Sequence, residues 1–234
     1  MADTKTVGVI GGLGPLATLD FFERVLRRTR AVREQDHLRL IIDNNPHFPD
    51  RNAYARGEGP SPGPALALCA KGLQAAGADV IVMACNTTHT WEGEIRAAIT
   101  VPFLSIIRET VDAVAELRPE AVGVLAVDAC LSASLYQDAL KVAGLKTVLL
   151  NADSQRTFME LIYRIKSGDS GETVKRSMVT LARKLEAQGA EVIIAGCTEI
   201  PIVLTADDIE GELVSSTDIL VERTIVFAGG ELKT

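Results

Sequence analysis

Short apolar runs alternate along this chain with longer segments in which apolar residues return every three or four positions. The runs 5–10, 38–43, 80–84, 121–127, 147–150 and 192–195 have the length and β-branched content of strands, and 101–104 is a shorter candidate. The run 80–84 is apolar at every position, as expected of a strand covered on both faces. Segments 16–30, 65–76, 91–99, 111–117, 131–142, 154–166 and 173–188 carry helical spacing. A last helix, 219–227, follows the capping sequence Ser216-Thr217-Asp218. Pro15 suits the first position of its helix, where Leu16, Leu19, Phe22, Val25 and Leu26 form one face. Strands alternating with helices of this length predict an α/β protein with parallel sheets and helices on both faces. The Pro- and Gly-bearing segments 44–51 and 57–64 read as polar loops.

The run 80–84 breaks at once into Cys85-Asn86-Thr87-Thr88-His89. The chain then repeats the device. Gly77-Ala78-Asp79 before the first run answers to Gly189-Ala190-Glu191 before the second, which ends in Gly196-Cys197-Thr198-Glu199-Ile200-Pro201. The cysteines lie 112 positions apart, near half of the 234 residues. Two similar lobes are expected: 1–101 plus 208–234 carrying Cys85, and 102–207 carrying Cys197. Open parallel sheets bind ligands beyond the carboxyl ends of their strands, which is where both thiols fall.

Composition narrows the field. A net charge of −7 argues against a nucleic-acid or anionic-membrane surface, and no apolar run approaches the ~18 residues of a membrane span. The amino terminus runs straight into a strand, so no signal peptide is expected. Four cysteines without a CxxC pair argue against a disulfide framework or zinc knuckle, and three histidines give a metal site little support. A reducing cytoplasm fits this usage. Gly12-x-Gly14-x-x-Ala17 matches the dinucleotide fingerprint, but Asp43 comes too late for the ribose acid. The turn reads better as a tight strand-to-helix junction whose N–H groups face a small anion.

Two thiols in echoed contexts admit several chemistries. A thiolate facing a thiol across a cleft is a base–acid pair that can take a proton from one face of a carbon and return one to the other. One thiolate can instead be a nucleophile, a close pair can form a disulfide, and both can be small buried residues.

These residues resemble a known family. Gly11-Gly12-Leu13-Gly14-Pro15-Leu16-Ala17-Thr18, Asn45-Pro46-x-x-Pro49-Asp50-Arg51, Cys85-Asn86-Thr87-Thr88-His89 and Gly196-Cys197-Thr198-Glu199-Ile200-Pro201 are similar to the motifs of the aspartate/glutamate racemases. The resemblance implies two Rossmann-like lobes related by a pseudo-twofold, an active site in the cleft between them, independence from any cofactor, and a homodimer. It implies Cys85 and Cys197 as the acid–base pair, with Arg51 and Lys166 able to hold the second carboxylate of an acidic amino acid. Chemistry assigns Asn86, Thr87, Thr88 and Thr198 to the α-carboxylate, where donors already in place stabilise charge as the α-proton leaves. Leu13 and Asn45, in matching loops, complete the substrate-binding set. Glu199 either orients the ammonium group or a water, or is a helix N-terminal acid. His89 either lowers the Cys85 pKa or hydrogen-bonds inside the lobe.

One segment departs from the pattern. Many relatives read Ala-Thr-x-Gly-Thr where this chain has Ala126-Val127-Asp128-Ala129-Cys130, so two carboxylate-holding hydroxyls are replaced by poor donors. Substrate identity is affected more than reaction type. Cys130 is expected near the cleft and Cys69 in the core. Competing readings are a maleate isomerase or hydantoin racemase type of enzyme, an amino-acid-binding protein without turnover, and a redox pair.

Overall fold

The computed structural model describes residues 4–55 and 57–233. In chain order the elements are β1 (Val7–Gly11), α1 (Pro15–Arg28), β2 (Leu40–Asn44), α2 (Arg51–Ala55), α3 (Gly63–Ala75), β3 (Val80–Met83), α4 (Glu92–Ala98), β4 (Phe103–Leu104) and α5 (Ile106–Glu116). There follow β5 (Ala121–Leu125), α6 (Asp128–Ser132), α7 (Leu135–Val142), β6 (Lys146–Val148), α8 (Ala152–Lys166), α9 (Glu172–Glu186), β7 (Val192–Ala195), β8 (Glu212–Ser215) and α10 (Ser216–Phe227).

The chain divides into two compact units, Met1–Glu109 with Thr217–Thr234, and Thr110–Ser216. Each unit holds one four-stranded parallel sheet, ordered β2-β1-β3-β4 in the first and β6-β5-β7-β8 in the second. The two orders are the same when the strands are numbered within each unit. The cysteine strands β3 and β7 are therefore interior strands with the same neighbours. A boundary after residue 101 would give β4 to the second unit, and one after 207 would give β8 to the first. Pairing puts them elsewhere: Ile81 registers with Phe103, and Val192 with Glu212.

Each core sits against its own sheet. Ile10, Leu66, Ile81, Met83, Ile95 and Phe103 are buried together in the first unit, and Leu125, Phe158, Ile162, Met178, Leu185 and Ile193 in the second. Each such side chain contributes about 1.5–3 kcal/mol by leaving water. Both first strands carry a glycine where a helix lies close. A Cβ on Gly8 would stand 3.1 Å from the Leu73 Cβ of α3, and one on Gly123 would stand 3.1 Å from the Leu185 Cβ of α9.

Four segments differ from the sequence-based expectation. The polar stretch after β2 contains α2, because the Asp50 carboxylate accepts the Ala53 N–H and starts a helical turn. The helix expected over 131–142 is two, broken at Ser134, whose φ of 53° is left-handed. Helix α5 begins at Ile106, five residues before 111, and the acidic 207–212 segment leads into β8.

Candidate active site

In the first unit, three loops leave the carboxyl ends of β1, β2 and β3. The β1 loop turns at Gly12, whose φ is 87° and where a Cβ would overlap the Asn45 backbone. Glycine is required there so that the β2 loop can approach. The Gly12 N–H donates to Thr18 Oγ1 at 2.9 Å, so it is turned inward and not toward an anion. Asp43, the acid the dinucleotide fingerprint would need, accepts from the Cys69 thiol at 3.2 Å. Burial first, and then that carboxylate, push the Cys69 pKa up. Both parts of the fingerprint thus have partners within the protein.

Arg51, at the start of α2, donates from Nη2 to the Leu13 carbonyl at 3.1 Å and ties the β2 loop to the β1 loop. Asn45 Oδ1 accepts the His47 N–H, closing a turn. Tyr54 packs edge-on against Trp91 at 5.5 Å, which sets α2 against the segment that follows Cys85. Leu13, Asn45 and Arg51 therefore belong to one connected rim in this unit.

Cys85 lies two residues past β3, and its thiol-bearing residue is 8% exposed. A 3-10 helix, Thr87–Trp91, follows. The Cys85 N–H donates back to the Met83 carbonyl, and the Cys85 carbonyl accepts from Thr88 Oγ1 at 3.1 Å and from His89 Nδ1 at 2.8 Å. Thr88 is fully buried and its only hydroxyl proton goes to that carbonyl. Asn86 and Thr87 are buried beside Cys85.

His89 acts inside the unit. Its Nε2 accepts the Ile106 N–H at 3.1 Å, which requires a lone pair there and puts the proton on Nδ1. Burial drives its pKa down to about 4, against the opposing charge of Glu92, so the ring is neutral at pH 7. A neutral ring brings no positive charge to the Cys85 turn.

In the second unit, Cys197 lies two residues past β7 and is 8% exposed. Its thiol donates to Glu199 Oε2 at 2.9 Å. Thr198 Oγ1 donates to the same oxygen at 3.1 Å, and Lys166, the last residue of α8, stands 3.7 Å from Glu199 Oε1. Burial, followed by the Glu199 charge, raises the Cys197 pKa well above that of a free thiol, and Lys166 opposes the rise. Glu199 stands at the N-cap position of the 3-10 helix Ile200–Ile202, but its side chain makes no cap bond and serves instead as the hydrogen-bond acceptor of Cys197. The Thr198 hydroxyl proton is spent on it, and Lys166 is its counter-ion.

Behind Cys197 the packing is tight. A Cβ on Gly196 would stand 2.8 Å from Tyr136 Cε2 and 3.1 Å from the Leu125 carbonyl, and Ser216 Oγ donates to the Ala195 carbonyl. Tyr136 and Cys130 are fully buried here. Val127 is half-buried against the core, and Gln155 Nε2 bonds the Ala126 carbonyl and Asp128 Oδ1. The β5 loop therefore offers no threonine hydroxyl and carries a carboxylate at its start.

All four cysteines are free thiols. Among the described residues no group of three or more His, Cys, Asp and Glu side chains could hold a metal ion, and no helix is long and apolar enough to cross a membrane. Chemically, each unit offers one nearly enclosed thiol at the carboxyl edge of a parallel sheet.

Residues 10–224 match the family described as Asp/Glu/Hydantoin racemase. The broad specificity amino-acid racemase RacX of Bacillus subtilis is 26% identical over 94% of this chain and 96% of its own length. The aspartate racemase of Picrophilus torridus superimposes with a TM-score of 0.86 at 29% identity, covering 98% of this chain and 96% of that one. An aspartate racemase homologue from Pyrococcus horikoshii gives 0.81 at 25%, covering 96% and 99%.

Proposed function

This chain belongs to the Asp/Glu/hydantoin racemase family, and from that premise we propose that it racemises amino acids, acidic ones included, without a cofactor, using Cys85 and Cys197 as a base–acid pair. The observation that carries the reading is the structural echo. Both thiols stand two residues beyond the corresponding interior strand of two sheets with the same order. A cofactor-free racemase needs two such groups, because the proton taken from one face of Cα must be replaced from the other.

In the proposed cycle Cys85 as thiolate removes the α-proton of one enantiomer, and Cys197, which rests as a thiol on Glu199, returns a proton to the opposite face. The reverse direction needs the opposite form, Cys197 as thiolate and Cys85 as thiol, which one forward turnover leaves behind. From the resting form Cys85 must take up a proton from water as Cys197 gives one up, and Glu199 Oε2 is in line to accept the latter. Asn86 and Thr87, with neighbouring backbone N–H groups, are the proposed donors to the α-carboxylate, where negative charge grows as the proton leaves. Arg51 and Lys166 are the proposed partners of a second carboxylate, with Leu13 and Asn45 shaping the rim. The likeness to an aspartate racemase supports acidic substrates.

A wider substrate range is the second reading, favoured by the β5 loop. Val127 and buried Cys130 cannot hold a carboxylate as hydroxyls would, Asp128 repels one, and the likeness to a broad specificity racemase points the same way. The reading extends to a homodimer, which light scattering checks, and to a cytoplasmic location, which cell fractionation checks.

The test is α-proton exchange in D2O followed by proton NMR, with both enantiomers of aspartate, glutamate and several neutral amino acids. Exchange with loss of optical activity is expected, and either Cys85→Ser or Cys197→Ser should abolish racemisation. Racemisation that survives both substitutions would overturn the two-thiol mechanism. The ratio of acidic to neutral rates decides between the two substrate readings.

A further inference from the structure

Three side chains after Cys85 grip one short segment. His89 Nε2 accepts the Ile106 N–H at 3.1 Å, Glu92 Oε2 accepts from Ser105 Oγ at 2.7 Å, and Arg96 Nη2 donates to the Phe103 carbonyl at 2.8 Å. Positions 89, 92 and 96 share a helical face, so the 3-10 turn and α4 present them as a row to the junction of β4 and α5. Arg96 also bonds Glu92 at 2.7 Å, which makes the row a network rather than three separate contacts. Of the three, only His89 also touches Cys85.

We propose that His89 is a positioning residue for Cys85: as a neutral imidazole it bolts the Cys85 carbonyl to the first N–H of α5 and so fixes the turn that presents the thiol. The inference rests on the reading of Cys85 as an acid–base residue. The geometry demands two different nitrogens. A carbonyl can only accept, so Nδ1 must carry a proton; an N–H can only donate, so Nε2 must not. No other side chain has a donor and an acceptor spaced across a rigid ring in this way. Phe103 packs against the imidazole at 5.5 Å and holds its plane. The Cys85 carbonyl is thus turned inward by two donors, His89 and Thr88. With the carbonyl fixed and the N–H bonded back to Met83, the Cα–Cβ bond of Cys85 is fixed in direction. Proton transfer depends steeply on the placement of the donor and acceptor atoms, so freeing this turn should cost turnover more than binding.

Three variants separate positioning from packing. His89→Asn keeps an amide donor near the Nδ1 place but does not reach the Ile106 N–H. His89→Gln carries its amide out to the Nε2 place and leaves the Nδ1 place without a donor, and His89→Leu keeps neither. Each is measured for kcat, KM and the alkylation rates of Cys85 and Cys197 by iodoacetamide and peptide mapping. We expect kcat to fall at least tenfold in His89→Leu and His89→Gln, with partial rescue in His89→Asn and KM within about twofold throughout. The Cys85 alkylation rate should follow the same order, while that of Cys197 stays unchanged. Should His89→Leu fail to fold, the Asn and Gln pair still reads the order. Variants with wild-type kcat, or with Cys85 and Cys197 reactivities shifting together, would overturn the proposal. Wild-type protein inactive on every amino acid would be a failure of the racemase reading instead, and the alkylation order would still decide the role of His89.

Discussion

Glu199 Oε2 accepts the proton of the Cys197 thiol at 2.9 Å, while the same carboxylate carries Lys166 at 3.7 Å on its other oxygen. The pair of contacts gives Cys197 a proton acceptor whose charge is partly neutralised. Glu199→Gln removes that charge, which with burial holds the thiol pKa up, so the pKa should fall. Alkylation of Cys197 at neutral pH should speed up even as kcat drops on the order of 10- to 100-fold. Enantiomers have equal free energy in water, so kcat/KM must fall equally in both directions. The asymmetry should instead appear in the α-deuterium isotope effect, which rises for the enantiomer deprotonated by Cys197. Equal isotope effects in both directions would sink this assignment.

Gly12→Ala should damage the first unit's rim. The residue sits at a φ of 87°, and its new Cβ would overlap the Asn45 backbone. Left-handed backbone alone costs on the order of 1–3 kcal/mol. Relief requires the β2 loop to move, and with it Arg51, which holds the Leu13 carbonyl. Urea midpoints should fall, and KM for acidic substrates should rise more than KM for neutral ones. Unchanged midpoints would show that the loop yields freely.

Gly196→Ala probes the other thiol from behind. Unit one has Ala84 at the place before its cysteine, so alanine is tolerated by that backbone. In unit two the added methyl meets the Tyr136 ring and the Leu125 carbonyl, with a cost of about 1–3 kcal/mol for overpacking. Shrinking the ring neighbour with Tyr136→Leu should recover part of the stability lost by Gly196→Ala. Additive losses in the double variant, measured by thermal unfolding, would refute the contact as the cause.

Much of this molecule could be read from residue order, and the omissions have physical reasons. The runs before Cys85 and Cys197 are apolar without alternation, which announces interior parallel strands; both are interior and parallel. Leu13, Asn45 and Arg51 fall on one rim because strand ends in a parallel sheet gather their loops on one side. By contrast, α2 depends on a single cap at Asp50, too short a signal beside the prolines around it. Strand β8 is apolar only at Leu213 and Val214, so its acidic approach masked it. The inward use of Thr88, Thr198 and His89 was hidden for a different reason. A hydroxyl or imidazole near a cysteine suits substrate binding and backbone bonding equally, and only the position of the acceptor separates the two.

Stability should fall steeply as pH drops from 6.5 to 4, with His89 responsible for much of the slope. The group's pKa is about 4 in the fold against an ordinary 6.5, because burial disfavours the cation. Between those values the unfolded chain binds a proton that the native chain refuses, so acid draws the equilibrium toward unfolding. The contribution is complete above pH 6.5 and gone below pH 4, and amounts to roughly 3 kcal/mol. Glu92 and Arg96 are the charged groups facing the ring. Burial alone would raise Glu92, but Ser105 and Arg96 hold it below the usual carboxylate range, so Glu92 also loses stability in acid. Urea midpoints of wild type and His89→Asn, taken from pH 7 to pH 4, isolate the histidine. The variant starts lower, since the Ile106 N–H loses its acceptor, and the two curves should converge as pH falls. Parallel curves would mean that His89 titrates alike in the folded and unfolded chain, and its burial as a neutral, two-ended hydrogen-bonding ring would have to be abandoned.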